Sequence, residues 1–303
     1  MDNSHIYRIL YFSGTGNTEW VMQRLSEALE AAGARSTMLA CDQLLADCGM
    51  GPRTVTDPSR IRRELVDFLD GATHLLLGYP VYESTIPMPM RIVMDYLPDG
   101  RSRKLGVVCT YMMAGGDCCH LPEKDLGERG YDSVLATYVK MPNNINLPPV
   151  KFLHVPQGEE LDAIAETATA AVDEIASWLA NDGRHVEGRG IADYLLGVSQ
   201  RWGEEMATNY VQDNIFALAR CNRCRLCVDT CPMGNIGFDD GYPEFGDRCC
   251  DCLRCYHKCP QQAIQITDKT MDLERYTRYD GMGGWKAPRV RKVRKRRKGT
   301  VSP

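Results

Sequence analysis

Eight cysteines in two runs are the residues of this chain most clearly spaced for chemistry. Cys221, Cys224, Cys227 and Cys231 stand at intervals of x2, x2 and x3, with Pro232 following. Cys249, Cys252, Cys255 and Cys259 repeat that pattern before Pro260, each 28 positions after its counterpart (249 − 221). Three thiolates at x2 spacing wrap one iron–sulfide cluster. A fourth, set off by an extra residue and a proline, leaves that loop for a neighbouring cluster. This reading gives Cys221, Cys224, Cys227 and Cys259 to one [4Fe–4S] cluster, and Cys249, Cys252, Cys255 and Cys231 to the other. Paired zinc loops are the competing reading, but zinc needs neither the third cysteine nor the proline.

The cysteine-rich stretch, roughly 216–270, resembles a bacterial two-cluster ferredoxin, which implies a small α+β domain. The six remaining cysteines, Cys41, Cys48, Cys109, Cys118, Cys119 and Cys250, read as small core residues or free thiols. So many cysteines without a secretory leader favour metal ligation in a reducing cytoplasm over disulfides. No apolar run is long enough to span a membrane.

A second candidate site lies near the N-terminus. The loop Ser13-Gly14-Thr15-Gly16-Asn17-Thr18 follows a β-prone run (6–12) and precedes a helical pattern of Trp20, Val21, Leu25, Ala28 and Leu29. Strand, Gly-rich loop and helix N-terminus together offer backbone N–H groups and a positive dipole end to a phosphate. The hydroxyls of Ser13, Thr15 and Thr18 add donors. The loop has no Walker lysine, and Glu19 stands where a dinucleotide fingerprint needs its third glycine. A hydroxyl-rich loop without a cation resembles the FMN phosphate loop of flavodoxins.

The elements that position this loop follow in order. A second strand is predicted over 35–41, then loop over 42–56, with Asp42 as a solvated strand end. A helix follows over 58–69 and a buried strand over 73–77. The turn Tyr79-Pro80-Val81-Tyr82 after it falls at a strand's carboxyl end, where open α/β sheets bind ligands. Tyr82 is the candidate to stack on a flavin ring. A short helix (88–97), a strand (104–110) and the loop Thr110-Tyr111…Gly115-Gly116 come next. A fifth strand (134–139) and a long amphipathic helix (159–180) complete the alternation. Alternation implies a parallel sheet covered on both faces. The resemblance implies a flavodoxin-like, doubly wound, five-stranded α/β sheet in the order 2-1-3-4-5. Cys118–Arg129 is short and Gly-broken where flavodoxins carry a full fourth helix.

Taken together, 1–270 resembles the flavodoxin–ferredoxin fusion proteins of anaerobic prokaryotes. The implied division is an FMN domain (1–183), a helical connector (184–215), a two-cluster domain (216–270) and a basic, disordered tail (271–303). The connector's aromatic and apolar residues are expected to pack the two-cluster module against the flavin face. The net charge of −4 conceals nine cations between Lys286 and Lys298; without them the chain stands at −13. The resemblance implies a cytoplasmic electron carrier with FMN, two [4Fe–4S] clusters and a redox partner protein, either a ferredoxin or an oxidoreductase. No specific nucleic-acid fold accompanies the tail. Two other readings compete. One is an FMN-dependent reductase of a quinone or nitro compound, with Tyr82, Glu83 or His120 as proton donor. The other is a redox-sensing regulator acting through the tail.

Overall fold

A computed structural model describes residues 5–49 and 57–290. The N-terminal part alternates β1 (Ile6–Tyr11), α1 (Asn17–Ala31), β2 (Arg35–Ala40), α2 (Cys41–Asp47), α3 (Pro58–Phe68), β3 (His74–Pro80), α4 (Met88–Asp95), β4 (Lys104–Tyr111), α5 (Leu121–Glu128), β5 (Asp132–Lys140), α6 (Glu159–Ala180) and β6 (His185–Val186). All strands of this sheet pair in parallel, in the order β2-β1-β3-β4-β5-β6. The first five positions are the flavodoxin-like doubly wound order. The sheet has six strands, not five. β6 adds only Leu135↔His185 and Ala136↔Val186, too short a run to show a period in sequence.

Alternation along β1 separates the two layers. Tyr7 and Ile9 face α1 and α6, with Val21, Leu25, Val172 and Ile175. Leu10 and Phe12 face the opposite layer, with Leu44, Ile61, Leu65, Met90 and Val93. The stretch expected as loop from 42 begins with a helix. Cys41, Leu44, Leu45 and Cys48 fall at i, i+3, i+4 and i+7, and all four are buried. Residues 50–56 lie outside the described residues. The segment after Cys118 also forms more helix than its glycine implied. α5 buries Pro122 and Leu126, and its Gly127 has nothing near its Cβ position.

The connector holds α7 (Ile191–Arg201) and α8 (Glu204–Asn214). It packs less than expected. Ile191 is 81% and Trp202 83% exposed, and in these helices only Gly197 and Val211 are buried. α8 borders a cavity through Met206, Tyr210 and Val211. The cysteine-rich unit follows with β7 (Phe216–Ala217), α9 (Leu226–Thr230), β8 (Ile236–Asp239), β9 (Tyr242–Phe245), α10 (Arg254–Lys258) and β10 (Ile264–Gln265). β7 pairs antiparallel with β10, and β8 with β9. Its small core joins Leu253, Tyr256, Ile264 and Ile266 to Leu147 and to Val211 of α8.

Residues 271–290, expected as the start of a disordered tail, instead return over the α/β domain. Tyr279 is buried and donates to the Asn17 side-chain oxygen (2.5 Å). The Trp285 indole donates to Glu19 (2.9 Å). Arg289 pairs with the buried Asp229 (2.8 Å). The aromatic side chains set among the charges provide the anchoring. The basic run from 291 onward lies outside the described residues.

Candidate functional site

α1 starts at Gly16, whose φ of +106° favours glycine and whose position gives the helix no side-chain cap. The loop ahead of it is held by its own polar groups. The Gly16 N–H donates to Ser13 Oγ (3.1 Å), and the Asn144 amide donates to Thr15 Oγ1 (2.7 Å). The Asn17 amide donates to the Pro142 carbonyl (3.0 Å), and the Thr18 and Thr110 hydroxyls bond at 2.7 Å. Ser13, Gly14, Thr15, Asn17 and Thr18 line a polar cavity of about 60 Å³, with Pro80, Val81, Tyr82, Thr110 and Tyr111 on its other walls. The structure therefore brings together ten of the residues expected at one ligand.

The other four expected residues lie elsewhere. Gly16 sits beneath the Trp285 ring, where a Cβ would stand 2.5 Å from Cγ. Tyr79 is wholly buried and donates to the Cys118 carbonyl (3.0 Å). Gly115 packs on the Tyr138 ring, and Gly116 lies against Ser84 and Gly197. Their loop is drawn toward α7, where Arg201 forks onto Asp117 (2.5 and 3.1 Å). His120 bonds Glu123 (2.7 Å) and the Glu187 carbonyl, so it is no donor to this cavity.

Tyr82, Asn144 and Ile145 also wall a second cavity, of about 410 Å³. Its lining is mainly apolar: Leu147, Val150 and Leu153 on one side, Met206 and Val211 of α8 on another, and Leu253 from the cysteine-rich unit. Two acids enter it. Burial, with Asp251 and Glu204 nearby, pushes Glu83 up to about 7. Burial likewise pushes Asp251 up to about 6, with Glu204 adding to it against a bond to Thr208. The Tyr82 hydroxyl is buried without a hydrogen-bond partner. A polar compartment opening beside a larger apolar one suits a ligand with a phosphate at one end and a flat ring at the other. A groove of about 650 Å³ beyond Met112 and Met141 is lined by α6 and 152–156 and meets no cysteine loop.

The two cysteine runs repeat in three dimensions. Arg223 and Arg225 have positive φ, as do Asp251 and Leu253, 28 positions on. α9 and α10 are offset by the same amount. The Asn235 N–H donates to Cys231 Sγ at 3.2 Å, and the Ala263 N–H to Cys259 Sγ at 3.2 Å. Burial pushes the Cys227 thiol up to about 12, and its neighbours Cys259, Cys221 and Cys224 add to the shift. Burial also raises Cys255, whose neighbours are Cys252, Cys249, Cys231 and Cys227. Tetrahedral zinc at Zn–S of about 2.3 Å would hold its sulfurs roughly 3.8 Å apart. Among the described residues, the one group of three metal-binding side chains converging within 4.8 Å is His5, His74 and Asp182. In that group Lys104 already pairs with Asp182. Among the described residues no three cysteines of the two runs converge within that 4.8 Å.

Arg254 joins the two sites. It is 1% exposed and lies between Cys252 and Cys255. Its Nε donates to the Gly14 carbonyl (2.9 Å) and Nη2 to the Ser13 carbonyl (2.6 Å). Nη1 reaches Asp42 (2.8 Å) and the Thr230 carbonyl (2.7 Å). Asp42 is therefore a buried ion-pair partner and not a solvated strand end. Sequence reasoning missed Arg254, Asp42, Tyr279 and Trp285. No sequence signal pointed to such an arginine, because the packing of the second cysteine run against the loop is a tertiary fact.

No protein-family model matches the sequence, and no match was found among curated proteins. Solved structures with partial similarity include the rubredoxin:oxygen oxidoreductase of Desulfovibrio gigas, at 17% identity and a TM-score of 0.35 over 58% of this chain. The chain spans 37% of that protein's length. The two-electron reduced flavodoxin of Megasphaera elsdenii is 20% identical over 54% of this chain and 98% of its own, with a TM-score of 0.34. An NAD(P)H:quinone oxidoreductase of Methanothermobacter marburgensis is 15% identical over 61% of this chain and 99% of its own, with a TM-score of 0.41. The strand order, not these likenesses, establishes the fold. No helix among the described residues is long and apolar enough to cross a membrane.

Proposed function

We propose that this chain is an electron-transfer oxidoreductase holding FMN and two [4Fe–4S] clusters and passing electrons on to a partner protein. One observation carries the reading. Asp251 and Leu253, which flank Cys252, line the same apolar cavity as Tyr82 and Glu83, beside the Ser13–Thr18 loop. Bound there, FMN would exchange one or two electrons and each cluster one. The loop's amides and hydroxyls would hold the phosphate, and Tyr82 and Leu253 would flank the ring. Ile145, Leu147 and Val150 keep water from it. Glu83, titrating near 7, holds a proton close by.

The cysteine environments support an order along the path. Cys252 is buried, with its Cβ 3.3 Å from the Cβ position of Gly14, whereas Cys224 is exposed. Cys249, Cys252, Cys255 and Cys231 would hold the inner cluster; Cys221, Cys224, Cys227 and Cys259 the outer one. N–H groups at Cys231 and Cys259 stabilise electron-rich sulfur and so raise the potentials. Exposed Arg220 and Arg223 flank the outer run and favour an acidic partner. The test is anaerobic purification, iron, sulfide and flavin analysis, and an optical titration against candidate donors and acceptors. Zinc in place of iron, or FAD as the released flavin, overturns the proposal.

Glu83 in an apolar cavity also favours a second reading, reduction of a small quinone or nitro compound with Glu83 as proton donor. Steady turnover with such an acceptor, abolished in Glu83→Gln, distinguishes it from a pure carrier.

A further inference from the structure

The phosphate loop is braced from behind by a residue of the other unit. The Arg254 guanidinium takes the carbonyls of Ser13 and Gly14 together. In a trans peptide the C=O and the following N–H point in opposite directions. The Ser13 carbonyl turned to Arg254 therefore aims the Gly14 N–H away from it, and the Gly14 carbonyl does the same for the Thr15 N–H. Gly14 and Thr15 both line the polar cavity. The guanidinium is itself fixed, by Asp42 and by the Thr230 carbonyl at the end of α9. Its backbone lies between Cys252 and Cys255, and the Cys252 carbonyl stands 3.1 Å from the Cβ position of Gly14. A side chain at residue 14 would press on that carbonyl and would displace the Tyr82 hydroxyl, which stands 2.3 Å from the same Cβ position.

We propose that Arg254 is a positioning residue which sets the phosphate-binding form of the Ser13–Thr18 loop, so that preference for a phosphorylated flavin depends on the cysteine-rich unit. The inference rests on the FMN reading above. Its physical basis is the rigid fork. Arg254 reaches four acceptors in two directions at once, and a lysine ammonium, a point donor on a flexible stem, cannot hold both peptide planes. The guanidinium also polarises the two peptides, increasing the positive potential of their N–H ends toward the cavity. The assembled cysteine loop fixes where this fork stands, so the α/β domain by itself has an unbraced anion site.

The experiment uses the full-length, cluster-loaded protein under anaerobic conditions. Dissociation constants for FMN and for riboflavin are measured by calorimetry on wild type, Arg254→Lys and Arg254→Gln. Iron content and far-UV circular dichroism check each protein. Wild type should prefer FMN. In both variants FMN affinity should fall about tenfold or more, as when a hydrogen bond to a charged group is misaligned. Riboflavin affinity should change by less than about twofold, because riboflavin makes no phosphate contact. A parallel fall for both flavins would show a merely structural role and overturn the proposal; so would an unchanged FMN preference. If Arg254→Gln does not fold, Arg254→Lys carries the test, since it keeps the charge opposite Asp42 and loses only the fork. Wild type binding neither flavin would instead overturn the FMN reading beneath the proposal.

Discussion

Gly16→Ala isolates two physical effects at the start of α1. Gly16 has φ of +106°, a conformation that an L side chain enters at about 1–2 kcal/mol. An added Cβ would also stand 2.5 Å from Trp285 Cγ and 2.8 Å from Cβ and Cδ2. The ring must then move, which breaks the indole bond to Glu19 and uncovers a half-buried aromatic. A hydrogen bond and partial aromatic burial together contribute about 2 kcal/mol. The full substitution should therefore destabilise by about 3–4 kcal/mol in the wild-type background. With Trp285→Gly already present, which removes the Cβ as well as the ring, only the dihedral term of about 1–2 kcal/mol remains. The cycle is measured by urea unfolding of cluster-loaded, flavin-free protein, followed by far-UV circular dichroism, so that flavin binding does not enter. A coupling of about 2 kcal/mol between the two sites is expected. Equal losses in both backgrounds would refute the contact between Trp285 and the loop and leave backbone strain alone.

Glu83 is an acid raised from 4.5 to about 7 by burial. Its neutral form is the one the fold favours, so its contribution is intact below about pH 4.5 and is lost as pH rises to about 7. This amounts to at most about 3 kcal/mol. Glu83→Gln should remove that slope, and urea midpoints that fall equally between pH 5 and pH 8 in both proteins would contradict it. Cys250→Ala should retain about eight iron atoms per chain, and Cys249→Ala about four; the reverse pattern would void the ligand assignment. Truncation after Val290 should leave flavin affinity and iron content unchanged, because the anchors at Tyr279, Trp285 and Arg289 remain. Truncation after Gly284 should lower stability by about 2 kcal/mol or more, because it removes Trp285 and also the Arg289 partner of buried Asp229. Equal unfolding midpoints for the two truncated chains would show that Trp285 holds nothing.

Much of the architecture was legible because it rests on local patterns. The duplicated spacing of the cysteines announced a duplicated backbone, and the matching positive φ values at Arg223 and Asp251, and at Arg225 and Leu253, are its outcome. Alternating strand and helix patterns announced the parallel sheet. Residues at strand ends, such as Thr110 and Tyr82, reached one cavity because parallel strands place their carboxyl ends together. α2 was legible too, in the i, i+3, i+4, i+7 burial of Cys41 to Cys48, but the nearby glycines and proline obscured it. The tertiary structure alone decided what lies behind and above the phosphate loop. A buried arginine is stable only where a carboxylate and several carbonyls converge on it, and Asp42, Ser13, Gly14 and Thr230 are scattered through the chain. The fate of Trp285 and Tyr279 was undetermined for the same reason. An aromatic residue in a charged segment stays wet unless a surface meets it, and that surface is made by residues more than 260 positions away.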